Sequence, residues 1–153
     1  MKVPDGAELG ILLIGTEDFF QVYDANLDAF SCYTARYNYA LLTVDLKSRA
    51  YLSWCIEFED FFFRKHCVVA HMLERLPPEL GIFVFDLDVT VFNFDVPLEK
   101  WAERADVVLY ERENNHEVAA GNYFVRNTPF ARRFLLHWAS YNHRRPTGFS
   151  FRT

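Results

Sequence analysis

Clusters of positive charge are missing from this chain of 153 residues: nowhere do four or more lysines and arginines gather, and the formal net charge is −5. Without a basic field to collect a phosphate backbone, nucleic acid is not an expected partner. Long apolar runs are missing as well. The most apolar early stretch, Leu9 to Ile14, is far shorter than the roughly 20 residues a membrane helix needs, and no basic leader or small-residue cleavage site accompanies it. No signal peptide or membrane anchor is therefore expected in this chain. Cysteine is scarce. Cys32, Cys55 and Cys67 form no CxxC pair and are too few for a disulfide scaffold. Buried free thiols are the expectation, with a Cys55–Cys67 bridge open to the chain in a secretory compartment. Repeats and low-complexity segments are absent too, which leaves one globular domain over residues 1–153.

What is present is ample core material. Hydrophobic residues make up 51% of the chain, and its 16 phenylalanines sit in apolar runs such as Phe61-Phe62-Phe63 and Phe83-Val84-Phe85. Leu9 to Ile14, bounded by Gly15, reads as a strand buried on both faces, which suggests a parallel sheet. Helical spacing follows from Asp18 to about Asn38, capped by Thr16 or Asp18, and a second apolar run spans Tyr39 to Leu46. Strand, helix, strand is how a nucleotide-binding half-sheet opens. A long helix is expected from Asp60 to Leu76, stopped by Pro77-Pro78, and a buried strand from Gly81 to Phe85. Beyond it come a short helix (Pro97 to Arg104), a strand (Asp106 to Tyr110), a polar loop (Glu111 to Glu117), a strand (Gly121 to Arg126) and a helix from Pro129 to Tyr141. The fold class is α/β: a Rossmann-like, mostly parallel sheet flanked by helices.

Asp86-Leu87-Asp88 closes the third strand. Asp-x-Asp alone says little, since a chain with 10 aspartates in 153 residues holds about 0.65 copies by chance. Position gives it meaning. The carboxyl ends of strands are where open α/β sheets bind ligands. Strand alternation would let Asp86 and Asp88 point together while Leu87 anchors in the core. Two adjacent carboxylates repel unless a cation lies between them, and all-oxygen ligation suits Mn²⁺ or Mg²⁺ over zinc. Such an ion would neutralise charge growing on a diphosphate leaving group. The bland alternative is a solvated pair ending a strand.

Arg64 and Lys65 open the helix that leads to this strand and are candidates for facing a donor's phosphates, against the plain alternative of an exposed helical face. Arg126 ends a strand; Arg132 and Arg133 read as a solvated face, and His66 and His71 as core or boundary histidines. His116 beside Glu117 is a weak ligand candidate, and Glu57, Glu59 and Asp60 read as caps of the following helix.

From Phe61 to Tyr141 the chain resembles the galactosyltransferase and mannan-synthesis relatives among the A-fold glycosyltransferases, and an uncharacterised nematode-rich branch of them. Three ordered segments carry the resemblance: Phe62 to Ala70 (FFRKHCVVA), Val84 to Val89 (VFDLDV) and Ala119 to Arg132 (AAGNYFVRNTPFAR). It implies transfer of a hexose from a UDP- or GDP-sugar to a glycan or glycoprotein acceptor, with Mn²⁺ (or Mg²⁺) on Asp86 and Asp88. Asp88 is then the direct ligand, with Asp86 turned to ion and ribose. It further implies that Arg64 faces the donor, that the turn at Ala120-Gly121 lines the sugar or acceptor pocket, where a side chain would obstruct close approach, and that the protein resides in the Golgi or secretory lumen.

The resemblance breaks near the end. Relatives continue into a segment with a metal-binding His and an Asp-Asn-Gly-like turn, whereas here Gly148 to Thr153 closes the chain and Ser150 stands about where the His belongs. A fragment with an incomplete metal shell is thus expected, and no catalytic base is identified. Two other readings compete. Asp86-Leu87-Asp88-Val89-Thr90-Val91 also looks like the first motif of haloacid-dehalogenase-like phosphatases, with Asp86 as nucleophile, although no acidic residue follows Glu117 to complete their Mg²⁺ site. The other is a remnant that binds a nucleotide sugar without turning it over.

Overall fold

The computed structural model describes residues 3–102 and 105–144, so Ser150, the end of the chain and Arg104 lie outside the described residues. Its centre is β1 (Leu9–Gly15), buried along its whole length because both neighbours and both faces are covered. β2 (Ala40–Asp45) and β3 (Gly81–Asp86) flank it in parallel. β4 (Val107–Arg112) and β5 (Glu117–Arg126) form a hairpin whose second strand pairs antiparallel with β3. The sheet order is β2-β1-β3-β5-β4, so the parallel half expected from the apolar runs carries an antiparallel hairpin on one edge.

Helix α4 (Phe61–Leu73) and helix α5 (Pro129–Ser140) cover one face. Alternation assigns them Leu12, Ile14, Ile82, Val84, Tyr123 and Val125 from the sheet. The opposite face presents Ile11, Leu13, Phe83 and Phe124 to α2 (Asp24–Tyr37). Both helices that frame the site start on side-chain caps: Asp60 accepts from the Phe62 N–H at 2.9 Å, and Thr128 from the Ala131 N–H at 3.1 Å, with Pro129 in the first turn.

Several elements differ from expectation. The helix anticipated from Asp18 to Asn38 is two helices, α1 (Glu17–Val22) and α2, broken at Tyr23. Asp24 takes its neighbour's N–H at 2.7 Å, the local competition that makes Asp start helices rather than continue them. Helix α4 stops at Leu73, ahead of the prolines, and Asn127 then caps the Leu76 carbonyl at 2.9 Å. The short helix after Pro97 is a single 3₁₀ turn, Leu98–Lys100, and a further short helix, α3 (Arg49–Leu52), has no counterpart in the pattern. The polar loop expected at 111–117 is shorter, because Glu111 and Arg112 extend β4 and Glu117 opens β5. Residues 113–116 make the turn, in which His116 takes a positive φ of 54°.

The cysteines depart most clearly. Cys55 and Cys67 are joined as a disulfide between the loop before α4 and α4 itself, in place of two buried thiols, and Cys32 is free and exposed. Helix α4 brings Cys67 back over the preceding loop, a proximity that a separation of 12 residues does not reveal.

Candidate active site at the carboxyl end of β3

Asp86 is the last residue of β3, and its side chain turns toward α4, 27% exposed. There it meets Lys65, whose ammonium is fully buried and donates to Oδ1 at 2.8 Å. Lys65 is thus no solvated helix face: α4 buries the residue one turn from its cap, and burial of an ammonium is tolerable only against a partner charge. On the strand side Asp86 lies against Gly121 of β5, where a built Cβ would overlap the Asp86 carboxylate. Burial holds the Asp86 carboxyl above its usual range, with the Lys65 charge and hydrogen bond opposing that rise and the charge of Asp88 adding to it.

β3 ends at Asp86, so strand alternation no longer governs the residues after it. Leu87 and Asp88 form a turn in which Leu87 is buried and Asp88 exposed. Three contacts fix that turn. Gly15 at the end of β1 leaves room for Leu87, since a Cβ there would collide with the leucine's methyl group. Asn26 of α2 donates to the Leu87 carbonyl at 2.9 Å, and the Val89 N–H reaches the Asp86 carbonyl at 3.4 Å. Three tyrosine hydroxyls then pin the descending segment: Tyr33 to the Val96 carbonyl at 2.6 Å, Tyr37 to the Phe94 carbonyl at 2.9 Å, and Tyr39 between Glu99 and the Leu98 N–H.

Behind Asp86 lies a dry aromatic cluster. Tyr123, two residues from Gly121 on the same face of β5, shares a hydrogen bond of 3.1 Å with His66 Nδ1, and His66 stacks on Trp138 at 4.0 Å between centroids. Burial, together with the Lys65 charge, pushes the His66 imidazole down to about 3, and burial and Asp86 push the Tyr123 phenol up. Both are neutral at any physiological pH and serve as walls that keep Lys65 dry. His66 is thus the satisfied core histidine expected. The sequence shows no sign of its pairing with Tyr123 beyond the shared alternation of Gly121 and Tyr123.

The other singled-out residues scatter. Arg64 turns back to the loop before α4, donating to the carbonyls of Phe58 at 2.7 Å and Glu59 at 3.2 Å. Arg126 lies over the Phe124 ring at 5.6 Å. Arg132 is not simply solvated: it bonds Asn127 Oδ1 at 2.6 Å, while Arg133 is exposed. His71 faces Glu74, and His116 faces Glu111 on the exposed hairpin and belongs to no metal-ligating group among the described residues. Asp60 caps α4 as expected; Glu57 and Glu59 are exposed.

Among the described residues the one close group of metal-ligating side chains is Cys55, Cys67 and His71, and its two sulfurs are spent on each other. At the β3 edge the protein offers two carboxylates. Two carboxylates, completed by phosphate oxygens and water, are how proteins hold Mg²⁺-like ions on nucleotides, so the donor set fits such an ion when a nucleotide brings the remaining ligands.

Residues 30–152 match the family described as "Protein of unknown function, DUF273". The chain belongs to that family. Among solved structures, this DUF273 chain is similar to a glycosyltransferase involved in the glycosylation of the major capsid of PBCV-1, with a TM-score of 0.65 and 15% identity over 92% of this chain and 70% of that one. That likeness establishes the fold as glycosyltransferase-like. No curated protein matches the chain.

Proposed function

We propose that this DUF273 chain is the donor-binding domain of a metal-dependent glycosyltransferase that moves a hexose from a nucleotide diphosphate to a hydroxyl acceptor on a glycan or glycoprotein. The observation that carries the reading is the Lys65–Asp86–Gly121 contact at the carboxyl end of the central parallel strands. A carboxylate held there by a buried cation is oriented before any ligand arrives, and orientation is what a metal-and-diphosphate site needs. Asp88, exposed in the turn, is the direct ligand for Mn²⁺ or Mg²⁺, and Asp86 faces the ion and the ribose. The bound ion would neutralise charge on the departing diphosphate. Arg64 lies one residue from Lys65 at the start of α4 and has further N–H donors for a phosphate. The likeness of fold to a glycosyltransferase supports the same reading. The disulfide suits an oxidising compartment such as the Golgi lumen.

A phosphatase using Asp86 as nucleophile has less behind it, because no acidic residue follows Glu117 to complete its Mg²⁺ site and the fold is glycosyltransferase-like. Calorimetry with UDP and GDP, each with and without Mn²⁺, tests the proposal. Binding of one nucleotide that strengthens at least roughly tenfold with the ion is expected, since only two protein carboxylates serve it. Asp88→Ala should abolish the metal-dependent part. Unchanged metal-dependent binding in that variant removes the motif from the site.

A further inference from the structure

Where the loop before α4 folds back over that helix, three side chains with metal-ligating atoms converge. The sulfurs of Cys55 and Cys67 and an imidazole nitrogen of His71 all lie within 4.8 Å of one another. Cys67 and His71 are four residues apart on α4, so they share one helix face. Cys55 joins them from the loop, its Cα 6.0 Å from that of Cys67. Both cysteines are buried, whereas 31% of the His71 side chain remains in water. The group is therefore dry on the sulfur side and open on the histidine side.

Contacts other than the disulfide hold these residues near one another. Arg75 donates to the His71 carbonyl at 2.6 Å and lays its guanidinium over the Trp54 ring at 4.1 Å. Trp54 directly precedes Cys55, and its ring also meets those of Tyr51 and His71. The loop is thus fastened to α4 beside Cys55 by ring and cation contacts that outlast the bond between the sulfurs. Glu74 adds a carboxylate 3.4 Å from His71 Nδ1. A carboxylate on one ring nitrogen fixes the tautomer and leaves the lone pair of the other nitrogen for an ion.

We propose that Cys55, Cys67 and His71 bind one Zn²⁺ when the bond between the cysteines is reduced, so that the ion and the disulfide are alternative ways of closing the same loop. A dithiol reductant supplies two electrons and two protons, leaves as its own disulfide and converts the Cys55–Cys67 bond to two thiols. The ion then displaces both thiol protons and binds the two thiolates together with the neutral imidazole, and water takes the fourth position on the open side. Tetrahedral binding asks the sulfurs to part to roughly 3.7 Å around Zn–S bonds of roughly 2.3 Å. Cys55, in a bend rather than a helix or strand, is placed to make that shift. Thiolate ligands select Zn²⁺ over Mg²⁺ or Mn²⁺, so this site does not compete with the carboxylates at the end of β3. Either closure holds the loop that ends in the Asp60 cap, one turn ahead of Lys65. The loop is therefore closed by the ion in a reducing setting and by the covalent bond in an oxidising one.

Co²⁺ is the spectroscopic stand-in for Zn²⁺ in the test. The full chain is reduced with a water-soluble phosphine, which leaves no competing thiol, and titrated without oxygen. One equivalent of Co²⁺ should bind, with the visible bands of tetrahedral cobalt and thiolate charge transfer in the near ultraviolet, and Zn²⁺ should erase both. The oxidised chain should show neither. His71→Ala, at a partly exposed position, should weaken Co²⁺ by more than the roughly tenfold loss expected for Glu74→Gln. Cys32→Ser should leave binding unchanged, because that exposed thiol takes no part. The urea midpoint lowered by the reductant should recover on adding Zn²⁺ and not on adding Mn²⁺. A folded reduced chain without the cobalt bands overturns the proposal, as do bands of equal strength and affinity in His71→Ala. So does a reduced chain that circular dichroism finds unfolded with and without Zn²⁺.

Discussion

Replacing Lys65 by methionine removes the cation that faces Asp86 in the dry space under α4. The side chain keeps its length and apolar stem, so the change isolates the charge. Breaking a buried ion pair by deleting one partner costs roughly 3–5 kcal/mol, because the survivor stays desolvated. Lys65 is fully buried but Asp86 keeps 27% of its side-chain surface in water, which places the cost at the lower end, about 3 kcal/mol. For a chain of this size each kcal/mol moves the melting temperature by about 2–4 °C, so the variant should melt about 6–12 °C below the parent at pH 7. The sign of the pH dependence comes from Asp86, whose folded-state value already lies above the ordinary 3.8 through burial. Without Lys65 it rises further, and the folded state then binds more protons than the unfolded one between 3.8 and that raised value. Acidification therefore stabilises the variant relative to the parent, and the gap should narrow as pH falls. Lys65→Met combined with Asp86→Asn, which removes both charges, should recover all but about 1 kcal/mol. Thermal melts followed by circular dichroism at several pH values decide it. A single variant that melts within about 2 °C of the parent at pH 7, or a gap that widens in acid, refutes the buried pair as drawn.

The remaining expectations concern the same neighbourhood. His66 has a folded value near 3 against 6.5 unfolded, so its contribution is complete above pH 6.5 and is lost at about 1.4 kcal/mol per pH unit as pH falls toward 3. Urea unfolding at pH 6.5, 5.5 and 4.5 should show that slope, and His66→Phe should flatten it; an equal slope in the variant counts against a neutral buried imidazole. Gly121→Ala forces a methyl group into the Asp86 carboxylate, so stability should fall by about 1–3 kcal/mol and metal-dependent nucleotide binding should weaken with it. Parental melting and binding in that variant would mean that the two do not touch. Reducing the Cys55–Cys67 bond frees a loop of about 12 residues and should cost about 3 kcal/mol by chain entropy, read as a lower urea midpoint with dithiothreitol.

The residues at the site were legible in unequal degrees. Asp86 could be found because a carboxylate ending an apolar run is visible without any tertiary information. Gly121 could be singled out through the resemblance, but its partner could not: the obstructed neighbour is Asp86 itself, 35 positions earlier. Lys65 looked like surface because lysine usually is. Only the packing of α4 and α5 over the sheet, with Trp138 stacked on His66 and Tyr123 beneath, seals it from water. Arg64, its immediate neighbour, shows the converse, since the helix rotates it toward the loop carbonyls of Phe58 and Glu59.

Sequence alone determined the α/β class, the place of each strand to within a few residues and the motif at the end of the third, because burial on two faces writes continuous apolar runs and turns write Gly, Pro and Asp. It could not decide which distant residues meet. The disulfide, the Lys65–Asp86 pair and the Asp86–Gly121 contact all depend on how strands register and helices rotate. Those choices are made by side-chain packing between segments far apart in the chain, which no local pattern encodes.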